Sequence, residues 1–225
     1  PLPFQFNLRR APGEHDVTTY EHAMLGITGV LAAGLHRRFG WPIAALAAVA
    51  ATSPDWDGLT IVAGPEAFAA SHRLWGHNVL VCVLSGLLLG ILDYQFDVTT
   101  RCGRFLVRKL RLVVPGGLPQ VRETHCLSGF AVWVGVAILA ALGHLAGDLV
   151  FSGTATLPDW DLRPWWPFSS TGYVYPLVAW GDAGASIVFA AGMFAMWKWP
   201  RRLQLVSAAT LACVVLYVVL RGTWL

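Results

Sequence analysis

The sequence predicts an all-α protein, a polytopic transmembrane bundle of about six helices of which the first two are short. Three observations lead to this prediction. Of the 225 residues, 56% are hydrophobic and only 13% are charged, about half the charged share of an average soluble domain. The apolar residues collect in long runs, and most basic residues collect in the loops between those runs. A chain with so few charges cannot cover a water-soluble globule with polar surface, and its apolar content excludes a disordered chain.

The predicted helices follow the apolar runs in chain order, at residues 23–35, 41–53, 78–92, 126–147, 175–197 and 203–220. With a rise of about 1.5 Å per residue, the fourth helix is about 33 Å long and the sixth about 27 Å, enough to cross a bilayer. The third, about 22 Å long, is expected to continue to Phe96. The first two are rich in small residues such as Gly26 and Gly29, which favour close helix packing. They are either short spans or a helical hairpin buried against the other helices.

The basic residues predict how the bundle is oriented. A polar N-terminal segment, 1–21, precedes a single membrane-embedded domain, 22–220. Basic residues lie in the loops that follow the first, third and fifth helices, and with six crossings these three loops fall on one side. The positive-inside rule makes that side cytoplasmic and the Trp-rich loop 152–175 extracytoplasmic, so the predicted location is the inner membrane. The largest basic loop, 97–124, is either a solvated loop or an amphipathic helix on the inner leaflet.

A small set of ionisable residues stands at the ends of the apolar runs. All of them fall on the predicted outer side: His22, Asp55, Asp57, His72, His77, His144 and Asp148. Ionisable groups at membrane depth are costly, so each needs a partner or a function. The basic loops and the positions of these seven residues therefore point independently to one site at the extracytoplasmic face.

The spacing of these residues suits metal ligation. His144 and Asp148 are four residues apart and project from one helix face, while Asp55 and Asp57 follow Pro54 and present two carboxylates from a loop. His72 and His77 are five residues apart, which does not fit one face of a straight helix, so one is expected in a loop and the other in the first turn of the next helix.

Imidazole and carboxylate ligands without thiolate favour zinc, with manganese or iron as alternatives. Seven candidate ligands are too many for one tetrahedral ion, so two divalent ions about 3.5–4 Å apart are predicted, sharing an activated water. Arg73 and Asp55 are the predicted catalytic residues. Arg73 has the planar fork that matches phosphate oxygens, and otherwise it is a headgroup anchor. Each histidine or aspartate taken singly could instead be an interfacial, capping or turn residue.

Other polar residues lie outside this set. The acidic pentamer around Asp55 recurs at residues 157–161, where its carboxylates either line the site entrance or form a simple turn. Asp93 and Asp182 are expected to pair with basic residues or to mark an ion path.

The order of these motifs resembles a known family. A histidine opening the first apolar run, then Pro-Asp-x-Asp, His-Arg-x-x-x-His, and His-x-x-x-Asp followed by Pro-Phe-Ser, is similar to the membrane-bound metal-dependent hydrolases of YdjM type. That family is itself distantly similar to zinc-dependent phospholipase C and P1-type nucleases. The resemblance covers about residues 18–170 and implies that the seven residues above form the metal site, with 167–169 as a closing element. Glu21 stands where the family usually has Thr, and Gly76-His77-Asn78 stands where it usually has Thr-His-Ser.

Three functions follow as hypotheses. The leading one is a hydrolase that cleaves a phosphoester, lipid or lipid-linked, at the outer membrane face. The alternative is a non-enzymatic membrane subunit whose cluster is a structural metal site or a partner anchor. The third is an ion transporter that uses Asp182, His144 and Asp148. Expected partners are membrane lipids and the phosphoester substrate, with a membrane-protein partner or a second copy of the chain as further options. The dispersed basic residues exclude a nucleic-acid partner.

Overall fold

The computed structural model describes residues 19–112, 126–151, 161–175, 177–178 and 182–224, together with two short strands. The described helices are α1 (Thr19–Ala32), α2 (Leu35–Phe39), α3 (Pro42–Thr52), α4 (Pro65–Ser71), α5 (Val79–Phe96), α6 (Val98–Lys109), α7 (Leu127–Val150), α8 (Gly184–Lys198) and α9 (Leu203–Trp224). Two 3-10 helices, Ser53–Ala63 and Pro200–Arg202, precede α4 and α9. Strands β1 (Gly153–Thr154) and β2 (Leu157–Pro158) form a small antiparallel hairpin. The all-α class is confirmed.

Six of these helices, α1, α3, α5, α7, α8 and α9, correspond to the six predicted ones, and α5 continues to Phe96 as expected. The predicted start of the fifth helix at residue 175 is wrong, because α8 begins at Gly184. The amides of Leu177 and Val178 instead donate to the carbonyl of Val150 at the end of α7, both at 3.2 Å. Asp182 accepts a hydrogen bond from the Gly184 amide at 2.8 Å, so it lies before the helix rather than within it.

Among the described residues, three helices are long and apolar enough to cross a membrane: α5, α7 and α9, the last with its preceding 3-10 turn. Helix α8 is a shorter apolar helix, and α1 and α3 are only about 21 and 17 Å long at 1.5 Å per residue. Helix α3 lies in the core between α1 and α7, with Ile43, Leu46 and Ala50 buried. This arrangement matches the predicted alternative of a buried helical hairpin.

Small residues set the closest helix contacts. A Cβ on Gly86 or Gly90 of α5 would lie 2.6 or 2.7 Å from the Cα of Ile138 or Val134 on α7, so these glycines let the two backbones meet. Gly26 plays the same part in α1, because a Cβ there would lie 2.6 Å from the carbonyl oxygen of Ala47 on α3. The expectation of close packing is therefore confirmed for Gly26. Gly29 differs, since a Cβ there would meet nothing within 4 Å.

The basic stretches gather at one end of the bundle. Thr99 of α6 donates to the carbonyl of Pro42 at the start of α3 (3.4 Å), and Gln204 of α9 donates to the carbonyl of Ala32 at the end of α1 (3.1 Å). The helical alternative for the large basic loop holds over α6, and residues 113–125 lie outside the described part. Asp93 does not pair with a basic residue in the contacts described, as it accepts from the Trp133 indole at 2.6 Å and caps α6.

Candidate metal centre

The opposite end of the bundle brings together all seven predicted site residues. His22 lies in the first turn of α1, and His144 and Asp148 lie near the end of α7. The two acidic residues predicted in a loop, Asp55 and Asp57, belong to the 3-10 helix that continues α3. His72 and His77 both lie in the loop between α4 and α5, so the prediction of a helical position for one of them is wrong. The reason is Asn78, whose side chain caps α5 from outside the helix.

Five residues form an inner cluster whose nitrogen and oxygen atoms face one another: His22, Asp55, His77, His144 and Asp148. The Nε2 atoms of His77 and His144 are 3.1 Å apart, and both lie 3.4–3.5 Å from Asp55 Oδ1. The two oxygens of Asp148 face different histidines. Oδ1 is 3.1 Å from His22 Nε2, whereas Oδ2 is 3.2 Å from His77 and 3.4 Å from His144. The cluster thus holds three imidazoles and two carboxylates in mutual contact.

Asp57 and His72 form an outer pair behind His77. Asp57 Oδ2 lies 2.9 Å from His77 Nδ1 and accepts the Gly76 amide at 2.8 Å, while Asp57 Oδ1 lies 3.0 Å from His72 Nδ1. These contacts hold His77 so that its other ring nitrogen points into the inner cluster. A carboxylate behind a histidine is the usual arrangement for orienting a metal ligand.

Three further groups support the cluster, and the sequence motifs did not reveal them. The carbonyl oxygen of Ala51 lies 2.7 Å from His144 Nδ1, which turns Nε2 of that ring inwards. A Cβ on Gly147 would lie 3.2 Å from the His22 ring, which stacks on the His144 ring at 3.7 Å. A Cβ on Gly76 would overlap the Pro54 carbonyl oxygen. The glycines at both motifs were the available signal, since such positions often mark a close approach.

Two of the three departures from the family pattern, Asn78 and Glu21, have local explanations. Asn78 Oδ1 accepts the Val81 amide at 2.9 Å as the N-cap of α5, and serine and asparagine serve equally well as N-caps. The carboxylate of Glu21 accepts a hydrogen bond from Ser186 and so links α1 to α8. Neither change removes a residue that faces the cluster.

The charge of the site is strongly unbalanced. Its three carboxylates, Asp55, Asp57 and Asp148, face one guanidinium, Arg73, so the net charge with neutral histidines is −2. The side chains of Asp57 and Asp148 are 0% and 5% exposed, while that of Asp55 is 28% exposed. Buried charges need compensation by paired groups or metal ions. The donor set and the missing positive charge therefore fit a divalent cation, and the access to it lies at Asp55.

The pKa shifts of Asp57 and His77, which lie outside the membrane-spanning helices, reflect the same excess of carboxylates. Burial by itself would raise the pKa of the Asp57 carboxyl, but hydrogen bonds to His72, His77 and the Gly76 amide outweigh it and lower the pKa to about 2. Burial opposes protonation of His77, yet hydrogen bonds to the surrounding carboxylates raise its pKa well above the usual value. The carboxylates around His77 thus favour positive charge at this position, which a metal ion would also supply.

Arg73 is buried beside the cluster, with Nη2 3.9 Å from Asp148 Oδ1. Its φ of 60° is uncommon for a residue other than glycine and is typical of strained positions at functional sites. Arg73 follows His72 in the loop, so the same backbone positions the guanidinium and the outer pair.

The remaining predicted residues lie away from the cluster. Asp161 is partly exposed and pairs with Arg163 at 3.0 Å. The other aspartate of the repeated pentamer, Asp159, lies outside the described residues. Phe168 of the predicted closing element is largely exposed. Asp182 pairs with Arg221 at 2.8 Å, so the expected partnership with a basic residue is confirmed there.

Exposed apolar side chains surround the site end of the molecule. The 3-10 helix Ser53–Ala63 exposes Trp56, Leu59 and Val62, and the ring of Trp56 stacks on that of Trp75 at a centroid distance of 6.4 Å. Trp side chains are enriched where a membrane meets water.

Comparison with known proteins places the chain in a family. No curated protein and no solved structure matches it. The similarity to zinc-dependent phospholipase C and P1-type nucleases stays a prediction. A family model described as YdjM inner membrane protein matches residues 17–224, almost the whole bundle and every residue of the cluster. The chain therefore belongs to the YdjM family of inner membrane proteins, as the motif order indicated.

Proposed function

We propose that this protein is a metal-dependent hydrolase that cleaves a phosphoester at the extracytoplasmic face of the inner membrane. One observation carries the proposal: a His/Asp cluster, whose net charge is −2 when its histidines are neutral, is largely buried but has one partly exposed carboxylate, that of Asp55. A purely structural metal site has no need of an opening, whereas a catalytic site keeps one position accessible.

The inner cluster would hold two divalent ions. The carboxylate of Asp148 has one oxygen facing His22 and the other facing His77 and His144, which suits a bridging ligand. Asp55 would complete the shell on the open side. Asp57 and His72 would orient His77 rather than bind a central ion, since His77 Nδ1 already contacts Asp57.

Bound ions of this kind supply a water of lowered pKa and polarise a phosphoryl oxygen. The chain itself positions the reactants. Arg73 is within reach of Asp148 and offers a planar donor fork to a non-bridging phosphate oxygen, whose charge increases as the reaction proceeds. Asp55, the most exposed of the three carboxylates, faces the position from which substrate enters.

The surroundings favour a substrate at the membrane surface. The exposed Trp56, Leu59 and Val62 would lie in the interface next to the opening. A phosphate group at lipid headgroup level would then approach Asp55 without leaving the membrane. The outward orientation follows from the basic residues at the opposite end of the bundle.

The test combines metal analysis with hydrolysis. Purified protein in detergent is loaded with Zn²⁺ or Mn²⁺, and bound metal and cleavage of chromogenic phosphomonoesters and phosphodiesters are measured. Asp148→Asn should lose metal and hydrolysis. Asp161→Asn, which changes a partly exposed carboxylate outside the site, should retain both.

Two outcomes would contradict the proposal. Wild-type metal content in Asp148→Asn would show that the cluster is not the metal site. Stoichiometric metal without cleavage of any phosphoester, lipid phosphoesters included, would favour the alternative of a structural metal site in a membrane subunit.

A further inference from the structure

A cavity of about 390 Å³ opens between α1, α3, α7 and α9 on the inner side of the candidate metal centre. The described residues that line it are all apolar, among them Leu25, Gly29 and Val30 of α1 and Val136, Ala140 and Gly143 of α7. Its volume lies within the range of small-molecule sites. Pockets that bind polar ligands include a few directed polar groups, whereas no described residue of this lining has a polar side chain.

The cavity lies between α1 and α7, the two helices that carry His22, His144 and Asp148. Leu25 follows His22 by three residues on α1, and Gly143 directly precedes His144 on α7. The His22 and His144 rings stack at 3.7 Å across the same two helices. The upper end of the cavity is therefore within one helical turn of the inner cluster.

The cavity is a groove that opens towards the lipid side of the bundle. Leu139 at its edge is 71% exposed, and the position of a Cβ on Gly29 is open space. From Leu25 to Ala33 the groove follows α1 for about 12 Å at 1.5 Å per residue, towards the middle of a core about 30 Å thick.

The dimensions select the occupant. A 12 Å length of a protein helix, which is about 10–12 Å across with its side chains, occupies roughly 1,000 Å³, more than twice the volume of the groove. A single hydrocarbon chain is thinner than a helix and needs no polar partner.

We propose that this groove binds one acyl chain of a phospholipid whose phosphate lies at the metal centre. The inference rests on the proposed function and narrows it, because the substrate becomes a phospholipid phosphoester rather than a soluble one. The acyl chain holds the lipid between α1 and α7 and positions its headgroup at the opening near Asp55.

Gly29→Leu tests the groove, because a Cβ at Gly29 meets nothing within 4 Å and Gly29 lines the groove, so the larger side chain is expected to fill it. Gly103→Leu is the matched control: Gly103 is also a helical glycine with open space, and it lies on α6 at the basic end. The probe is phosphatidic acid with a diazirine in one acyl chain, photolysed with metal-loaded protein in nanodiscs. Mass spectrometry locates the labelled residues.

We expect labels to concentrate on the α1 and α7 residues of the groove. In Gly29→Leu the labelling should fall by about tenfold or more, the effect of losing the burial of about two methylene groups. Gly103→Leu should label as wild type does. Hydrolysis of long-chain phosphatidic acid should fall in parallel in Gly29→Leu, while cleavage of a short chromogenic phosphoester is retained.

The outcomes separate this inference from the proposed function. Labels spread evenly over α5 and α9 and insensitive to Gly29→Leu would overturn the groove, even if the protein hydrolyses soluble phosphoesters. Equal groove labelling by a diacylglycerol probe without phosphate would also overturn it, because the occupant would then be an ordinary bilayer lipid. Phosphate-dependent groove labelling without hydrolysis of any ester would support the groove and contradict the hydrolase.

Discussion

Asp57→Asn is the substitution that best separates the inner cluster from the residues behind it. In the native structure Asp57 accepts the Gly76 amide and contacts two imidazoles, those of His72 and His77. Asparagine has the same shape. Its oxygen can accept from Gly76 and His77, and its amide can donate to His72. The substitution therefore keeps the contacts and removes only the negative charge.

The expected magnitude follows from that loss of charge. A hydrogen bond to a charged group contributes about 1.5–3 kcal/mol and a neutral one about 0.5–1.5 kcal/mol, so the support of His77 weakens by about 1–1.5 kcal/mol. This corresponds to about a tenfold loss of metal affinity, at the lower end of the 10- to 100-fold effect typical of residues that orient metal ligands. The number of ions bound at saturation should not change.

The assay is a Zn²⁺ titration of metal-free protein in detergent against a chromophoric chelator, which gives both affinity and stoichiometry. Asp148→Asn, in contrast, should bind fewer ions even at saturation, because it removes the carboxylate that faces three histidines. Equal loss of stoichiometry in Asp57→Asn and Asp148→Asn would refute the division into inner and outer residues. It would make Asp57 a direct ligand.

Two further predictions concern the fold. Gly90→Ala places a Cβ 2.7 Å from the Cα of Val134 and should destabilise the α5–α7 contact by about 1–3 kcal/mol in thermal unfolding. Gly103→Ala, where a Cβ meets nothing within 4 Å, should not, and equal unfolding temperatures for the two variants would contradict this packing. Burial by itself would raise the pKa of the Asp182 carboxyl, but contacts with Tyr217, the Gly184 amide and Arg221 outweigh it and lower the pKa. The Asp182–Arg221 pair therefore stabilises the fold above about pH 4, and this stabilisation is lost as the pH falls to the lowered pKa. Arg221→Gln should therefore cost less than about 1 kcal/mol at neutral pH and nothing in acid below that pKa, and a cost that persists in acid would exclude the ion pair as its cause.

The sequence was sufficient to predict which residues meet, because charged residues are scarce in this chain. In a chain with 13% charged residues, His and Asp at four helix ends have few roles other than a shared site. Alternating helix directions then bring the start of α1, the end of α3, the start of α5 and the end of α7 to one end of the bundle. The prediction needed only this topology, without any knowledge of side-chain orientation.

Which residues face the inner cluster and which orient them from behind could not be predicted in the same way. It depends on which nitrogen of His77 points inwards, and that orientation is set by Asp57 and by Gly76, whose close approach to Pro54 has no periodic signature. The late start of α8 was equally hidden. The run before it is apolar enough for a helix, but its backbone amides bond to Val150 at the end of α7 instead. Both failures concern long-range contacts, which local sequence patterns do not encode.

Helix α7 joins the two halves of the proposed mechanism because its two faces pack differently. Towards α5 it packs against Gly86 and Gly90, so the backbones touch and the distance between Asp148 and His77 is fixed. Towards α1 it leaves a groove along Gly29, whose upper end lies beside the stacked rings of His22 and His144. A metal centre needs the first kind of contact, since ligand positions must not shift. A lipid that enters and leaves sideways needs the second. The combination on one helix explains how a rigid charged cluster can lie directly beside an open apolar groove.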